Sequence, residues 1–209
     1  MKFYDCETAP SPRRVRLFIA EKGLKIPTVQ IDLARGEHLS PAFKAKNPRC
    51  TVPTLELDDG TCLAETLAIC FYLEQCHPEP PLMGRDAKEK ALVLQWNHRI
   101  ENEGFMAVAE VLRNKAKGFK DRALTGPTSF EQIPALVERG IKRTEIFFQD
   151  LEEHLGQSPY VVGDRFTMAD ITGLVVVDFA NWIKFPIPED HVNTRRWHQA
   201  VSQRPSAAL

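Results

Sequence analysis

The chain runs to 209 residues, with 27 lysines and arginines against 28 aspartates and glutamates and a net charge of −1. That balance excludes a nucleic-acid binder held by a broad basic field, and no apolar run approaches the roughly 18 residues of a membrane span. With no charged-then-apolar leader, the expectation is a soluble cytoplasmic protein, able to bury roughly 70% of its unfolded surface in one large or two small domains.

Lys2 to Asp5 reads as a short strand and Cys6 to Pro10 as a loop. Ser11-Pro12 reads as a helix start, Ser as N-cap and Pro at the first helical position. Val15, Phe18 and Ile19 give the helical stripe and Gly23 its stop. Arg13, Arg14 and Arg16 fall in the first turns, where the helix dipole disfavours cations, so they are either well solvated or face an anion. Pro27 to Leu33 is a second strand. Arg35 to Lys46 is polar, a loop with an irregular helix.

Thr54 to Leu57 and Thr61 to Ala64 form a hairpin about the tight dipeptide Asp59-Gly60. Pro53 stands at its first position, where the missing N–H costs no ladder bond. An X-Pro bond can be cis, which would leave the main chain of Val52 open to an extended ligand. Glu65-Thr66 then precedes an apolar periodic run to about His77, and free N–H groups at a helix start there favour an anionic group. A backbone edge for a peptide-like ligand and an anion site thus lie about a dozen residues apart.

His77-Pro78-Glu79-Pro80-Pro81 cannot continue a helix and reads as a linker. Beyond it the chain is helical, over Lys88–Arg113, Phe130–Leu155, the all-round apolar and therefore buried Met168–Ile183, and Asn193–Gln203. Thr167-Met168-Ala169-Asp170 fits a capping box opening the buried helix. The five cysteines (Cys6, Cys50, Cys62, Cys70 and Cys76) all fall in the first 76 residues, with no Cys-x-x-Cys and no histidine spacing for zinc. They read as reduced thiols, Cys62 and Cys70 as small buried hydrophobes.

Val52-Pro53 followed by Glu65-Thr66 resembles the glutathione-binding half of the cytosolic glutathione S-transferases. Arg13-Arg14-Val15-Arg16 running to Leu24, Gly36-Glu37-His38, Asn47-Pro48 and the stretch Gly163 to Ile171 resemble the same family. The resemblance spans nearly the whole chain. It implies an α/β thioredoxin-like N-terminal domain over 1–78, a linker over 79–86 and an all-α C-terminal domain over 87–209. It also implies a homodimer that uses glutathione as co-substrate without a metal, in detoxification.

By that resemblance Val52 pairs its main chain with the cysteinyl part of glutathione and Pro53 fixes the turn. Glu65 and Thr66 hold the γ-glutamyl end, His38 reaches toward the glycine carboxylate, and Thr51 stands where relatives often carry a longer Gln or Lys. Thr167 and Asp170 are folding residues. The enzyme's task is to hold the thiolate of a thiol whose free pKa is about 8.5. A hydroxyl donor and the first helix's N-terminus would do so. The family's serine position is occupied here by Ala9, which leaves Thr8 and Ser11 as alternative donors, with Cys6 and Tyr4 nearby. The second substrate, a hydrophobic electrophile or a disulfide, would meet Trp96, Ile100, Phe105 and Trp182, residues that core packing also explains. The alternatives to transfer are glutathione-dependent disulfide or peroxide reduction, and a non-catalytic scaffold of the same shape.

Overall fold

A computed structural model describes residues 1–209. Four short strands make one mixed sheet: β1 (Lys2–Asp5), β2 (Thr28–Gln30), β3 (Thr54–Glu56) and β4 (Cys62–Ala64), in the order β2-β1-β3-β4. β1 and β2 are parallel, Tyr4 opposite Val29, so the chain between them must cross over, and helix α1 (Pro10–Glu21) does this. β3 runs antiparallel to both β1 and β4, with Thr54 opposite Tyr4 on one side and Ala64 on the other. β2 is shorter than the expected Pro27–Leu33 because β1 offers only four residues to pair with. The main-chain bonds reach one residue beyond the ladder at each end, Phe3 N–H to Pro27 and Ile31 N–H to Asp5, and Asp32 then turns the chain.

α1 starts earlier than expected. It begins at Pro10, with Ala9 as N-cap and no side-chain cap, so Ser11 is inside the first turn and caps nothing. The first four helical N–H groups have no partner within the helix, so Pro10 and Pro12 both fit there without losing a bond. Two further helices complete this part, α2 (Pro41–Lys46), capped by Ser40, and α3 (Thr66–Cys76). Val15, Leu17 and Phe18 of α1 and Ile69, Cys70 and Leu73 of α3 are fully buried, and the two helices pack together. Cys62 is half-buried, not a core residue as expected, because its strand is at the sheet edge. At the far end of α1 the buried Lys22 ammonium meets the Glu74 carboxylate at 2.5 Å and the carbonyls of His77 and Pro80 at 2.8 and 2.5 Å.

By its internal contacts the chain divides into two compact units. One holds Met1–Pro80 with Thr125–Thr128 and Leu209, the other Pro81–Leu124 with Ser129–Ala208. The second is helical: α4 (Ala87–Arg99), α5 (Met106–Lys115), α6 (Ala135–Leu155), α7 (Met168–Ala180) and α8 (Val192–Ser202). A π-helical segment, Ile100–Phe105, interrupts the single helix expected over Lys88–Arg113. Here Gly104 lies against Phe147, and a Cβ at Gly104 would stand 2.8 Å from that ring. The Arg143 guanidinium donates to the Asn102 carbonyl within the segment at 2.5 Å. α6 begins five residues later than expected. Pro134 stands at its N-cap, and Phe130 is drawn instead into main-chain bonds with Asp121 and Ala123.

α7 is the axis of this unit, and the capping box at its start is present. The Asp170 carboxylate is fully buried. It accepts from the N–H groups of Val161 and Thr167 and from the Trp197 indole, each at 2.9 Å, and from the Thr167 hydroxyl at 3.1 Å. Burial pushes its pKa up while those four donors pull it back. Glu152 does similar work for α8, accepting from the main-chain N–H groups of Asn193 and Thr194 at 3.0 and 2.8 Å. Burial raises the Glu152 pKa, and these bonds with the two side-chain donors outweigh it, so the group lies below the ordinary glutamate value.

Candidate functional site

The strand register brings the sequence-picked residues of the first unit together. Continuing the β3–β4 pairing by two residues puts Val52 opposite Thr66, and continuing β1–β3 likewise puts Cys6 opposite Val52. One end of the sheet therefore carries, in a row, the loop before α1, the segment before β3 and the start of α3. The Thr66 hydroxyl donates to the Ser11 carbonyl at 3.4 Å, which ties the first turns of α1 and α3 together. Two helix N-termini thus stand side by side, α1 with the Ser11 N–H alone between two prolines and α3 with the N–H groups of its first turn, and their dipoles combine in a positive potential at one corner.

The Val52–Pro53 bond is cis. Val52 precedes β3, and neither its N–H nor its C=O is bonded within the chain. The turn that delivers it is wound around the buried Asn47. The Asn47 amide donates to the Thr51 carbonyl at 2.8 Å and to the Thr51 and Thr54 hydroxyls at 3.1 and 3.2 Å, while its oxygen accepts from Arg49 N–H at 3.0 Å. Thr51 is thereby engaged in holding the turn. Asn47 was visible in the sequence only as part of a motif match, because its role depends on four partners that the fold brings around it.

Across the corner, Glu65 is exposed at φ +74°, in the N-cap position of α3, and its carboxylate caps nothing. It is free to receive an ammonium group. Thr66 is buried, its main-chain N–H in the first turn of α3. His38 is also buried, in a 3-10 turn at Glu37–Leu39.

The loop Cys6–Ala9 is clamped from the sheet side. Arg16 donates to the Asp5 carboxylate at 2.6 Å and to the carbonyls of Cys6 and Glu7 at 3.2 and 2.8 Å, and Gln30 bridges Asp5 and Glu7 N–H. So one of the three arginines of α1's first turns faces an anion that belongs to the protein itself. Thr8 is exposed, its hydroxyl 3.5 Å from the Cys6 sulfur. Cys6 is buried just past β1, not on the strand. The Ser11 hydroxyl accepts from the Arg14 guanidinium at 3.3 Å, leaving its own hydrogen to donate. The Tyr4 hydroxyl instead donates to Glu56 at 2.5 Å. Burial and that carboxylate hold the Tyr4 phenol above its ordinary pKa, and Lys46, 2.8 Å from Glu56, holds the Glu56 carboxyl below its own. Tyr4 is therefore committed to the sheet.

Of the four residues expected to meet a second substrate, Ile100 and Phe105 are core, the latter's ring tilted against Phe179. Trp96 lies against the His154 ring at 3.7 Å and the Arg99 guanidinium at 4.6 Å. Only Trp182, 53% exposed, presents an open aromatic face. No cluster of three or more His, Cys, Asp or Glu side chains is arranged to hold a metal ion, and no helix is long and apolar enough to cross a membrane.

Comparison with known proteins agrees with this architecture. The family models for the glutathione S-transferase N-terminal and C-terminal domains match residues 8–76 and 120–205. The chain is 35% identical to glutathione S-transferase 2 of Saccharomyces cerevisiae, over 99% of this chain and 87% of that protein. The crystal structure of Gtt2 from the same yeast superposes with a TM-score of 0.91 at 35% identity, covering 100% of this chain and 99% of that one. A glutathione S-transferase domain-containing protein of Marinobacter aquaeolei VT8 also superposes with a TM-score of 0.91, at 37% identity and 99% coverage of both chains.

Proposed function

This chain belongs to the glutathione S-transferase family, and from that premise we propose a glutathione transferase whose tripeptide lies extended across the Val52–Thr66 corner. The open main chain of Val52 pairs with the cysteinyl residue, as an added strand would. The γ-glutamyl carboxylate takes the N–H groups at the start of α3 and its ammonium takes Glu65. The 3.4 Å bond from Thr66 to Ser11 is long enough to yield its hydrogen to that carboxylate. His38 and Thr51 stand on the glycyl side. Residues 1–78 form the glutathione-binding domain, 79–86 the linker and 87–209 the helical domain.

The observation that carries this reading is the register itself, which puts an unpaired backbone edge opposite a helix start with a free carboxylate beside it. An extended peptide with an amino-acid head group is the ligand that uses all three.

Catalysis then needs the thiolate. Lowering a thiol from about 8.5 by two units requires about 2.7 kcal/mol, within reach of one charge-assisted hydrogen bond and a helix N-terminus. Ser11 is the better donor of the two candidates. Its oxygen accepts from a guanidinium, which polarises the O–H, and it stands in the first turn of α1. Thr8 is drawn toward Cys6. The thiolate then attacks a hydrophobic electrophile, forming a carbon–sulfur bond as the electrophile's leaving group departs with its electron pair. The protein acts as a cytoplasmic homodimer in detoxification.

Calorimetry with glutathione, followed by titration of the bound thiol through its ultraviolet thiolate absorbance, tests the proposal. Ser11→Ala should raise the bound thiol's pKa by about one unit, a tenfold loss of thiolate near neutrality, and Thr8→Ala should leave it unchanged. Absence of glutathione binding by the folded wild type would end the reading. Binding without turnover of aromatic halides, together with turnover of disulfides or peroxides, would replace transfer by reduction.

A further inference from the structure

The cations of the second unit are unevenly placed. Five of them, Arg113, Lys115, Lys117, Lys120 and Arg122, fall within ten residues, while the chain as a whole stands at −1. Asp121 and Glu131 are the acids of the stretch from Arg113 to Ile133. Arg113 and Lys115 close the last turn of α5, where the helix dipole favours cations. That reason does not extend to Lys117, Lys120 and Arg122, which lie beyond the helix. Lys115, Lys117, Lys120 and Arg122 are exposed, and the three lysines make no ion pair.

The fold gathers this stretch at the end of α5 and sets apolar side chains beside it. The Arg113 guanidinium lies 4.8 Å from the centre of the Phe119 ring and donates to the Arg122 carbonyl at 2.8 Å, so the chain past α5 folds back on the helix end. Ala123 N–H donates to the Phe130 carbonyl and Phe130 N–H to the Asp121 carbonyl, each at 3.0 Å. The Gln132 amide donates to the carbonyls of Arg113 and Ala116 at 2.7 and 2.9 Å, and Ile133 N–H donates to Asn114 Oδ1 at 2.9 Å. Ala123 is buried between the exposed Arg122 and Leu124. Leu124, Phe130 and Ile133 are 53%, 43% and 53% exposed. A nucleic acid or an acidic protein would engage the cations and leave these three side chains in water. An anionic lipid surface uses both, its headgroups taking the cations and the boundary beneath them the apolar groups.

We propose that this end of the helical unit docks on an anionic phospholipid surface, with Lys115, Lys117, Lys120 and Arg122 against the headgroup phosphates and Leu124, Phe130 and Ile133 entering the interface below. Each cation at such a surface is worth about fivefold in partition, and each large apolar side chain taken fully out of water about tenfold or more. Attachment of this kind is peripheral and reversible. Salt weakens it, because the screening length falls from about 10 Å at 0.1 M to about 3 Å at 1 M.

Co-sedimentation of the full-length protein with vesicles tests this. The wild type should pellet at about 0.1 M salt with phosphatidylcholine vesicles containing about 30% phosphatidylserine, stay in solution with phosphatidylcholine alone, and leave the anionic vesicles at about 1 M salt. Lys115→Gln, Lys117→Gln and Lys120→Gln combined should weaken the partition about a hundredfold. Leu124→Ser with Phe130→Ser should weaken it about tenfold, since both side chains are already partly covered. All five side chains are exposed, so both variants keep the fold, which circular dichroism checks. Failure of the wild type to pellet, equal pelleting with phosphatidylcholine alone, or a partition that either variant leaves unchanged overturns the inference. So does a short DNA duplex bound more tightly than the anionic vesicles, which would assign the cations to nucleic acid instead.

Discussion

Replacing Asp170 by alanine removes the one acceptor shared by three separate chain segments. In the wild type its two oxygens serve the Val161 and Thr167 N–H groups, the Trp197 indole and the Thr167 hydroxyl, all in a fully buried setting. The hydroxyl can turn to another acceptor, but the two main-chain N–H groups and the indole cannot. Three buried donors left unmade at about 1–3 kcal/mol each, less some relaxation, give a loss of about 3–5 kcal/mol. For a protein of this size each kcal/mol moves Tm by about 2–4 °C, so scanning calorimetry should show a fall of about 6–20 °C. Asp170→Asn is the sharper control. It retains one acceptor oxygen but turns an NH2 toward two donors, so it should lose about 2 kcal/mol and rank between the wild type and Asp170→Ala. A fall under about 3 °C for the alanine variant would refute the reasoning, since at about 2–4 °C per kcal/mol it would equate four buried hydrogen bonds with a surface contact.

Three further outcomes follow from the same structure. Glu152→Ala strips the N-terminus of α8 of its acceptor and should cost about 1–2 kcal/mol by urea denaturation at neutral pH. Because the folded Glu152 pKa lies below the ordinary value, that difference should be full at neutral pH and vanish only as pH falls through the depressed folded value; a difference that grew on acidification would contradict it. Gly104→Ala should cost about 2 kcal/mol in thermal unfolding despite alanine's better helix propensity, because its methyl would press on the Phe147 ring. Lys22→Met should cost about 3–5 kcal/mol by leaving the Glu74 carboxylate buried without its cation, and Lys22→Met with Glu74→Leu should recover much of this in the same assay.

The hairpin, the start of α3 and the capping box of α7 were legible in the sequence because each is specified within a few residues. Asp59-Gly60 sets the turn, Glu65-Thr66 precedes the apolar run, and Thr167 and Asp170 are three apart. What misled was local competition between equally good signals. Ser11-Pro12 and Pro10 both satisfy the rules for a helix start, and the earlier one prevails because a proline inside the first turn gives up no bond. The π segment at Ile100–Phe105 has no signature of its own, since its causes lie across the unit, in the Phe147 ring and the Arg143 guanidinium. Asn47 and Arg16 were missed as organisers of the site for the same reason. Each is an ordinary polar residue until the fold surrounds it with acceptors from elsewhere in the chain.

The size of the sheet also explains why an open backbone edge and two helix starts meet at one corner. Strands of three or four residues end almost as soon as they begin, so the loop before α1, the turn before β3 and the start of α3 converge within one strand's width of each other. A longer sheet with the same order would carry its helix starts further from any open backbone edge, and one ligand could not reach both.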